Sequence, residues 1–198
     1  PIAQHMLLAC SGQELPDRAS NAYIEAHFDD YAGTFEAKLV DSLAYRIPER
    51  IGRILGDLAI PAGTLRVLDA GCGTGLCGPH LAQCAKSLVG VDLSAKSLAV
   101  AAGKNVYGAL DKAEMAEYLA NTASTFDLIV IADALIYFGS LEKLLQAAAN
   151  ALGDGGLLIA SVEELAPAQG NFAFNPSGRY SHSREYLVSQ LLAAGLAK

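Results

Sequence analysis

Two carboxylates carry the chemistry that this sequence offers. Asp69 closes the apolar run Val67-Leu68-Asp69 and opens into Gly71-Cys72-Gly73-Thr74-Gly75, with glycines at alternate positions. Asp92 closes a second apolar run, Ser87-Leu88-Val89-Gly90-Val91-Asp92. Glycine lets a backbone turn sharply and approach a ligand with no Cβ in the way. A carboxylate at the tip of the neighbouring strand accepts two hydrogen bonds, as the two hydroxyls of a ribose require. Such a pair grips a nucleoside.

Two kinds of ligand suit the loop. One is the pyrophosphate of a dinucleotide: Gly73-Thr74-Gly75-Leu76-Cys77-Gly78 matches G-x-G-x-x-G, and Asp92 lies nineteen residues after Gly73. The register opposes that match. Starting it at Gly71 puts Leu76 where the third glycine belongs, and starting it at Gly73 leaves Asp69 in or beside the phosphate turn, where an anion repels. The other is a methionine moiety carrying an ammonium. Asp69 then receives that charge, directly or through water, and the pattern fits without adjustment.

The elements that must position these residues alternate along the chain. Strands are expected near 65–70, 87–92, 106–110, 126–133 and 157–162. Helices are expected after Gly75, from the cap Ser94 to about 102, over 114–121, over 140–152 and over 183–194. Phe126–Asp133 is nearly continuous in apolar residues, as a doubly covered parallel sheet requires. The series implies an α/β, doubly wound, mostly parallel Rossmann-like sheet with helices on both faces. Ligands of such sheets sit beyond the carboxyl ends of the strands at the switch point, the rim shared by Asp69, Gly71, Asp92 and Asp133.

Ahead of the sheet, residues 1–20 lack periodicity and read as an arm, while 21–59 read as helical. The division expected is 1–60, an N-terminal arm and helical lid segment, and 61–198, the ligand-binding core. Gly153–Gly156 reads as a tight turn. Residues 163–182 form a connection long enough to be functional or to hold small elements of its own. No residues after 194 are expected to supply far-edge strands.

Composition narrows the classes. With 198 residues, 52% hydrophobic, the chain suits one domain, or one domain with an added segment. No apolar run reaches about 18 residues and no signal peptide opens the chain, so neither a membrane span nor export is expected. A net charge of −7 disfavours a nucleic-acid backbone as partner and leaves a small molecule. Cys10, Cys72, Cys77 and Cys84 form no CxxC pair. They are expected to be reduced thiols of a cytoplasmic protein, with no metal site.

Val67–Gly75 with Gly90-Val91-Asp92-Leu93-Ser94 resembles the class I S-adenosylmethionine-dependent methyltransferases over about residues 60–165. More narrowly, Phe28-Asp29-Asp30-Tyr31-Ala32, Tyr45-Arg46-Ile47-Pro48-Glu49 and Gly178-Arg179-Tyr180-Ser181-His182-Ser183 resemble predicted bacterial methyltransferases often fused to tetratricopeptide repeats. The resemblance implies S-adenosylmethionine as cofactor and S-adenosylhomocysteine as product. It implies that Asp69, Gly71, Cys72, Gly73 and Gly75 serve the methionine end, and that Asp92 and Leu93 hold the ribose and one face of adenine. Glu114 and Met115 would flank adenine, and Asp133 with Ala134 would lie near the sulfonium. Asp133-Ala134-Leu135 stands where enzymes that methylate base or glutamine amino groups carry a Pro-Pro motif, which points away from those acceptors.

Methyl transfer from a sulfonium needs alignment above all, and a base only where the acceptor must lose a proton. The catalytic candidates are Tyr31, on a helix able to fold over the ligand, Arg179 as a clamp for an anionic group, and His182 as a base. Two of them have plainer readings. The aromatic stripe around Tyr31 can pack a helix on the core, and His182 can simply precede the cap Ser183 of the last helix. The function expected is methyl transfer to a small or medium-sized metabolite. The alternatives are an NAD-dependent oxidoreductase and a non-catalytic S-adenosylmethionine-binding protein.

Overall fold

The computed structural model describes residues 1–11, 16–31, 45–123, 125–166 and 170–196. Helix α1 (Ile2–Ser11) and helix α2 (Asn21–Tyr31) precede α3 (Ile47–Asp57). Strand β1 (Leu65–Ala70) then begins the sheet, followed by α4 (Gly78–Leu81), β2 (Ala85–Asp92), α5 (Ala95–Ala102), β3 (Ala109–Lys112), α6 (Met115–Asn121), β4 (Phe126–Ile131), α7 (Glu142–Ala151) and β5 (Leu152–Ala160). The strands lie in the order β3-β2-β1-β4-β5, and every pairing is parallel. β1 is central, with Val67 paired to Leu88 on one side and Leu128 on the other. The chain crosses from one half of the sheet to the other between β3 and β4, which opens the crevice beside β1.

Strand side chains alternate between faces, so β1 and β4 feed two cores. Leu68, Ala70, Ile129 and Ile131 pack with Leu144, Leu145 and Ala148 of α7 and with Tyr23 of α2. Val67, Leu128 and Val130 pack with Ile51 and Leu55 of α3 and with Leu81. Both faces are covered, and this accounts for the continuous apolar strands.

Several elements differ from the sequence expectation. Residues 2–11 form α1 rather than an irregular arm. Its holding contacts are tertiary: buried His5 stacks on Tyr23 at 3.6 Å and donates from Nε2 to the Gly178 carbonyl at 2.9 Å. Gly153–Gly156 lies within β5, where the pairing register with β4 shifts between Phe126 and Leu128 and Gly155 takes φ 72°. The third strand starts at Ala109, after a turn with Asn105 at φ 55°. The helix after the glycine loop is only four residues long.

The long connection contains a second sheet. Strands β6 (Glu163–Glu164), β7 (Phe172–Phe174) and β8 (Tyr180–His182) pair in the order β6-β8-β7, and α8 (Arg184–Ala193) follows from the cap Ser183. Among the described residues, β5 is the outer strand of the main sheet.

Candidate functional site

A cavity of about 240 Å³ opens at the carboxyl ends of β1, β2 and β4. The glycine loop contributes Asp69, Gly71, Cys72, Gly73 and Thr74, and the tip of β2 contributes Asp92 and Leu93. Glu114 and Met115 follow β3, and Asp133, Ala134 and Tyr137 follow β4. Ile24, His27 and Phe28 come from α2, Tyr45 precedes α3, and Arg179 comes from the second sheet.

The loop keeps its shape through positive φ angles, 75° at Gly71 and 53° at Gly73. A Cβ on Gly71 would stand 2.8 Å from that of Ala134, so only glycine lets β1 and β4 come this close. A Cβ on Gly73 would meet no atom of the described residues within 4 Å.

Asp92 latches this loop. Its Oδ2 accepts the Gly73 N–H at 2.9 Å and its Oδ1 accepts the Ser94 N–H at 2.8 Å. Burial raises its pKa, and these backbone bonds act in the opposite sense. Each oxygen keeps acceptor capacity for a ligand hydroxyl. Asp69 is buried at 1% exposure, and its Oδ2 accepts the Tyr107 hydroxyl at 2.7 Å. Burial pushes its pKa up to about 7, Tyr107 lowers it, and the charge of Asp92 raises it.

The remaining sequence candidates divide. Glu114 lines the cavity but is also engaged elsewhere: its Oε2 caps α6 by accepting the Glu117 N–H at 2.9 Å, and its Oε1 pairs with Arg18 at 3.2 Å. Asp133 stands at φ 53° with its N–H bonded to Ser161 Oγ at 2.8 Å. Burial raises the pKa of Asp133, and Arg179 lowers it. Arg179 reaches the cavity and donates from Nη1 to Glu163 Oε1 at 2.9 Å. Burial disfavours its charge, and the bond to Glu163 together with the fields of Tyr137, Asp133 and Glu163 outweighs that.

Gly75 and His182 do not line the cavity. Gly75 faces the Tyr107 ring instead. His182 is 1% exposed, donates from Nε2 to the Gly139 carbonyl at 3.2 Å and stacks on Tyr186, so it packs β8 against the turn before α7. Burial lowers its pKa. This is the placement of a residue preceding a helix cap. The side chain of Tyr31 lies outside the described residues, although α2 itself covers the cavity.

Sequence reasoning missed two residues. His27 lines the cavity, and burial followed by the charges of Arg179 and His5 lowers its pKa, so it is neutral near pH 7. Its place on α2, four residues after Tyr23, was the only available signal. Tyr107 sat in a weak strand pattern, and nothing local linked it to Asp69.

α2 is fastened at both ends. Ser94 Oγ donates to Asp29 Oδ1 at 2.6 Å while accepting the Ser97 N–H at 3.0 Å, so the cap of α5 also holds α2. Lys112 pairs with Glu25 at 2.5 Å. Ahead of the helix, Gly139 and Ser140 donate to the Asp17 carbonyl and Ala19 donates to that of Tyr137.

These residues fit S-adenosylmethionine. Among the described residues, Asp69 faces the cavity beside Tyr107 and Asp92 with no cation acting on it, Thr74 Oγ1 is buried with no hydrogen-bond partner, and the Gly73 backbone borders open space. A ligand with an ammonium and paired hydroxyls answers the first and suits the acceptors of Asp92.

Known proteins are similar to this chain. The family described as "Methyltransferase domain" matches residues 29–197. A ubiquinone biosynthesis O-methyltransferase of Rhizobium rhizogenes is 35% identical over 103 residues, covering 50% of this chain and 42% of that protein. One from Rhizobium johnstonii is 29% identical over 154 residues, covering 70% and 62%. The chain spans between 42% and 62% of the length of such relatives. Magnesium protoporphyrin IX methyltransferase from Synechocystis PCC 6803, solved with bound SAM, has a TM-score of 0.67 at 20% identity over 92% of this chain and 88% of that one. The N-methyltransferase NodS from Bradyrhizobium japonicum WM9, solved with S-adenosyl-L-homocysteine, has a TM-score of 0.66 at 21% identity over 86% and 85%.

Proposed function

The chain belongs to the class I S-adenosylmethionine-dependent methyltransferases, and we propose that it transfers the methyl group to a small or medium-sized metabolite by in-line displacement. The observation that carries the proposal is the convergence of Asp69 and Asp92 on one cavity, with the glycine loop between them. S-adenosylmethionine, when bound, supplies a methyl group activated on a sulfonium. The chain's own residues hold and align. Asp69 takes the ammonium, Asp92 the ribose hydroxyls, and Leu93 and Met115 offer apolar flanks for adenine. Glu114 contributes through the cap of α6.

The acceptor end is served by Tyr45, Asp133, Tyr137, Arg179 and His27. Arg179, steadied by Glu163, holds an anionic group of the acceptor. His27, being neutral, takes the proton of a hydroxyl as the new bond forms, or that of an ammonium beforehand, freeing the lone pair that attacks. Phe28, set edge-on to Tyr137 at 5.7 Å, keeps water from this end. We read residues 1–60 as the lid segment and 61–198 as the core, with Tyr31 on the lid. The O-methyltransferase relatives favour a hydroxyl acceptor. The net charge of −7 favours a metabolite over nucleic acid and, with no described helix long and apolar enough to cross a membrane, a cytoplasmic location. The segments around Phe28, Tyr45 and Gly178 support a place among the bacterial methyltransferases often fused to tetratricopeptide repeats.

The test is incubation with a metabolite extract and S-adenosylmethionine carrying a deuterated methyl group. Mass spectrometry should find an acceptor gaining one labelled methyl. Binding of the cofactor with no labelled acceptor and no S-adenosylhomocysteine formed would refute the transfer.

A further inference from the structure

Tyr107 does not line the cavity, yet three glycines from three parts of the fold make room for it. A Cβ on Gly75 of the loop would come within 3.0 Å of its ring, one on Gly78 of α4 within 2.8 Å of its hydroxyl, and one on Gly90 of β2 within 3.0 Å of its ring. The slot they form ends at Asp69, whose Oδ2 accepts the hydroxyl at 2.7 Å. Asp69 in turn borders the cavity. The carboxylate is thus held between a buried phenol and the site of the ligand.

We propose that Tyr107 is a positioning residue for the cofactor, its hydroxyl orienting Asp69 and favouring its ionised form so that the carboxylate meets the ligand's ammonium. The inference rests on the methyltransferase reading above. Among the described residues, the groups facing Asp69 are Tyr107 from the turn before β3, Asp92 from β2, Cys72 and Cys77 from the glycine loop and Tyr45 ahead of α3. None is a cation. A lysine or arginine in the place of Tyr107 would ionise Asp69 but also neutralise it and repel the ammonium. A hydroxyl stabilises the anion and leaves its charge for the ligand. With Asp69 titrating at about 7, a proton and the ammonium compete for it near neutrality. Binding is therefore tight above that pH and weakens as the pH falls through it.

Tyr107→Phe keeps the ring in its slot and removes only the hydroxyl. Calorimetric titration of the wild type and the variant with S-adenosylhomocysteine, from pH 6 to 8.5, reads the effect. Loss of a bond that favours the anion raises the Asp69 pKa by about one unit. The variant should then bind about fivefold more weakly at pH 7 and within about twofold of the wild type at pH 8.5. Other titrating groups, His27 among them, are common to both proteins and cancel in the ratio. A ratio that is the same at every pH, whether near one or far from it, overturns the proposal. A wild type that binds no S-adenosylhomocysteine at any pH defeats the methyltransferase reading instead. Should the variant fold poorly, carbon NMR of the Asp69 carboxyl in the wild type decides: its midpoint should drop on ligand binding, and an unmoved midpoint counts against the proposal.

Discussion

Asp92 Oδ2 accepts the amide of Gly73 at 2.9 Å, so the tip of the second strand holds the loop that leaves the first. The same carboxylate that is to bind ribose therefore shapes the floor beneath the methionine end. On the proposed function, cofactor binding and loop order depend on one residue.

Asp92→Ala should weaken S-adenosylhomocysteine binding by about 2–3 kcal/mol, through loss of charge-assisted bonds to the ligand and release of the Gly73 amide. Calorimetry measures it. Hydrogen exchange should show faster exchange at Gly73 and Ser94, and unchanged affinity would remove Asp92 from the site.

Asp69→Asn should separate stability from function. The folded pKa of Asp69, about 7, stands above its unfolded value near 3.8. The folded form therefore holds a proton that the unfolded chain loses between these values. The contribution of this group is fully present below the unfolded pKa and is lost as the pH rises through 7. Above pH 7 the free protein carries a buried anion that burial disfavours more than the Tyr107 hydroxyl stabilises, and Asn removes it. The variant should melt higher than the wild type at pH 8, by an amount on the order of 2 kcal/mol, and bind the cofactor poorly. A lower melting temperature at pH 8 contradicts this account of Asp69.

His182→Ala should destabilise the fold by about 2–3 kcal/mol, because it removes a buried ring stacked on Tyr186 and a hydrogen bond to Gly139. Affinity for S-adenosylhomocysteine, measured below the melting range, should stay within about twofold, as a side chain outside the cavity implies. A stable variant that binds normally but turns over slowly would return His182 to the chemistry.

His27→Gln should slow turnover of an acceptor that must lose a proton, by about 100-fold or more, with cofactor affinity nearly unchanged. In the wild type, kcat should fall at acid pH with a midpoint below the ordinary histidine value, since burial and Arg179 lower it. The profile shifting or vanishing in the variant is the check, and an identical profile would assign the proton elsewhere.

The parallel sheet and the rim that borders the cavity were legible because their signals are local. An apolar strand ending on an acid, and glycines at alternate positions, state their own geometry, and Ser94 announces the helix it caps. The rest was hidden for physical reasons. α1 is held by His5 reaching Gly178, far along the chain, and no short-range pattern encodes such a contact. Tyr107 fits a slot made by three separated glycines. The second sheet has strands of only two or three residues, too short for periodicity to show. His182 drew attention by its residue type and its loop, yet burial decides its role, and burial depends on the whole fold.

The most direct measurement is calorimetric titration of the purified chain, at pH 8, with S-adenosylhomocysteine and separately with NADH. The account predicts one S-adenosylhomocysteine bound per chain, loss of that binding in Asp92→Ala, and no heat from NADH. Binding of NADH with no response to S-adenosylhomocysteine would contradict it.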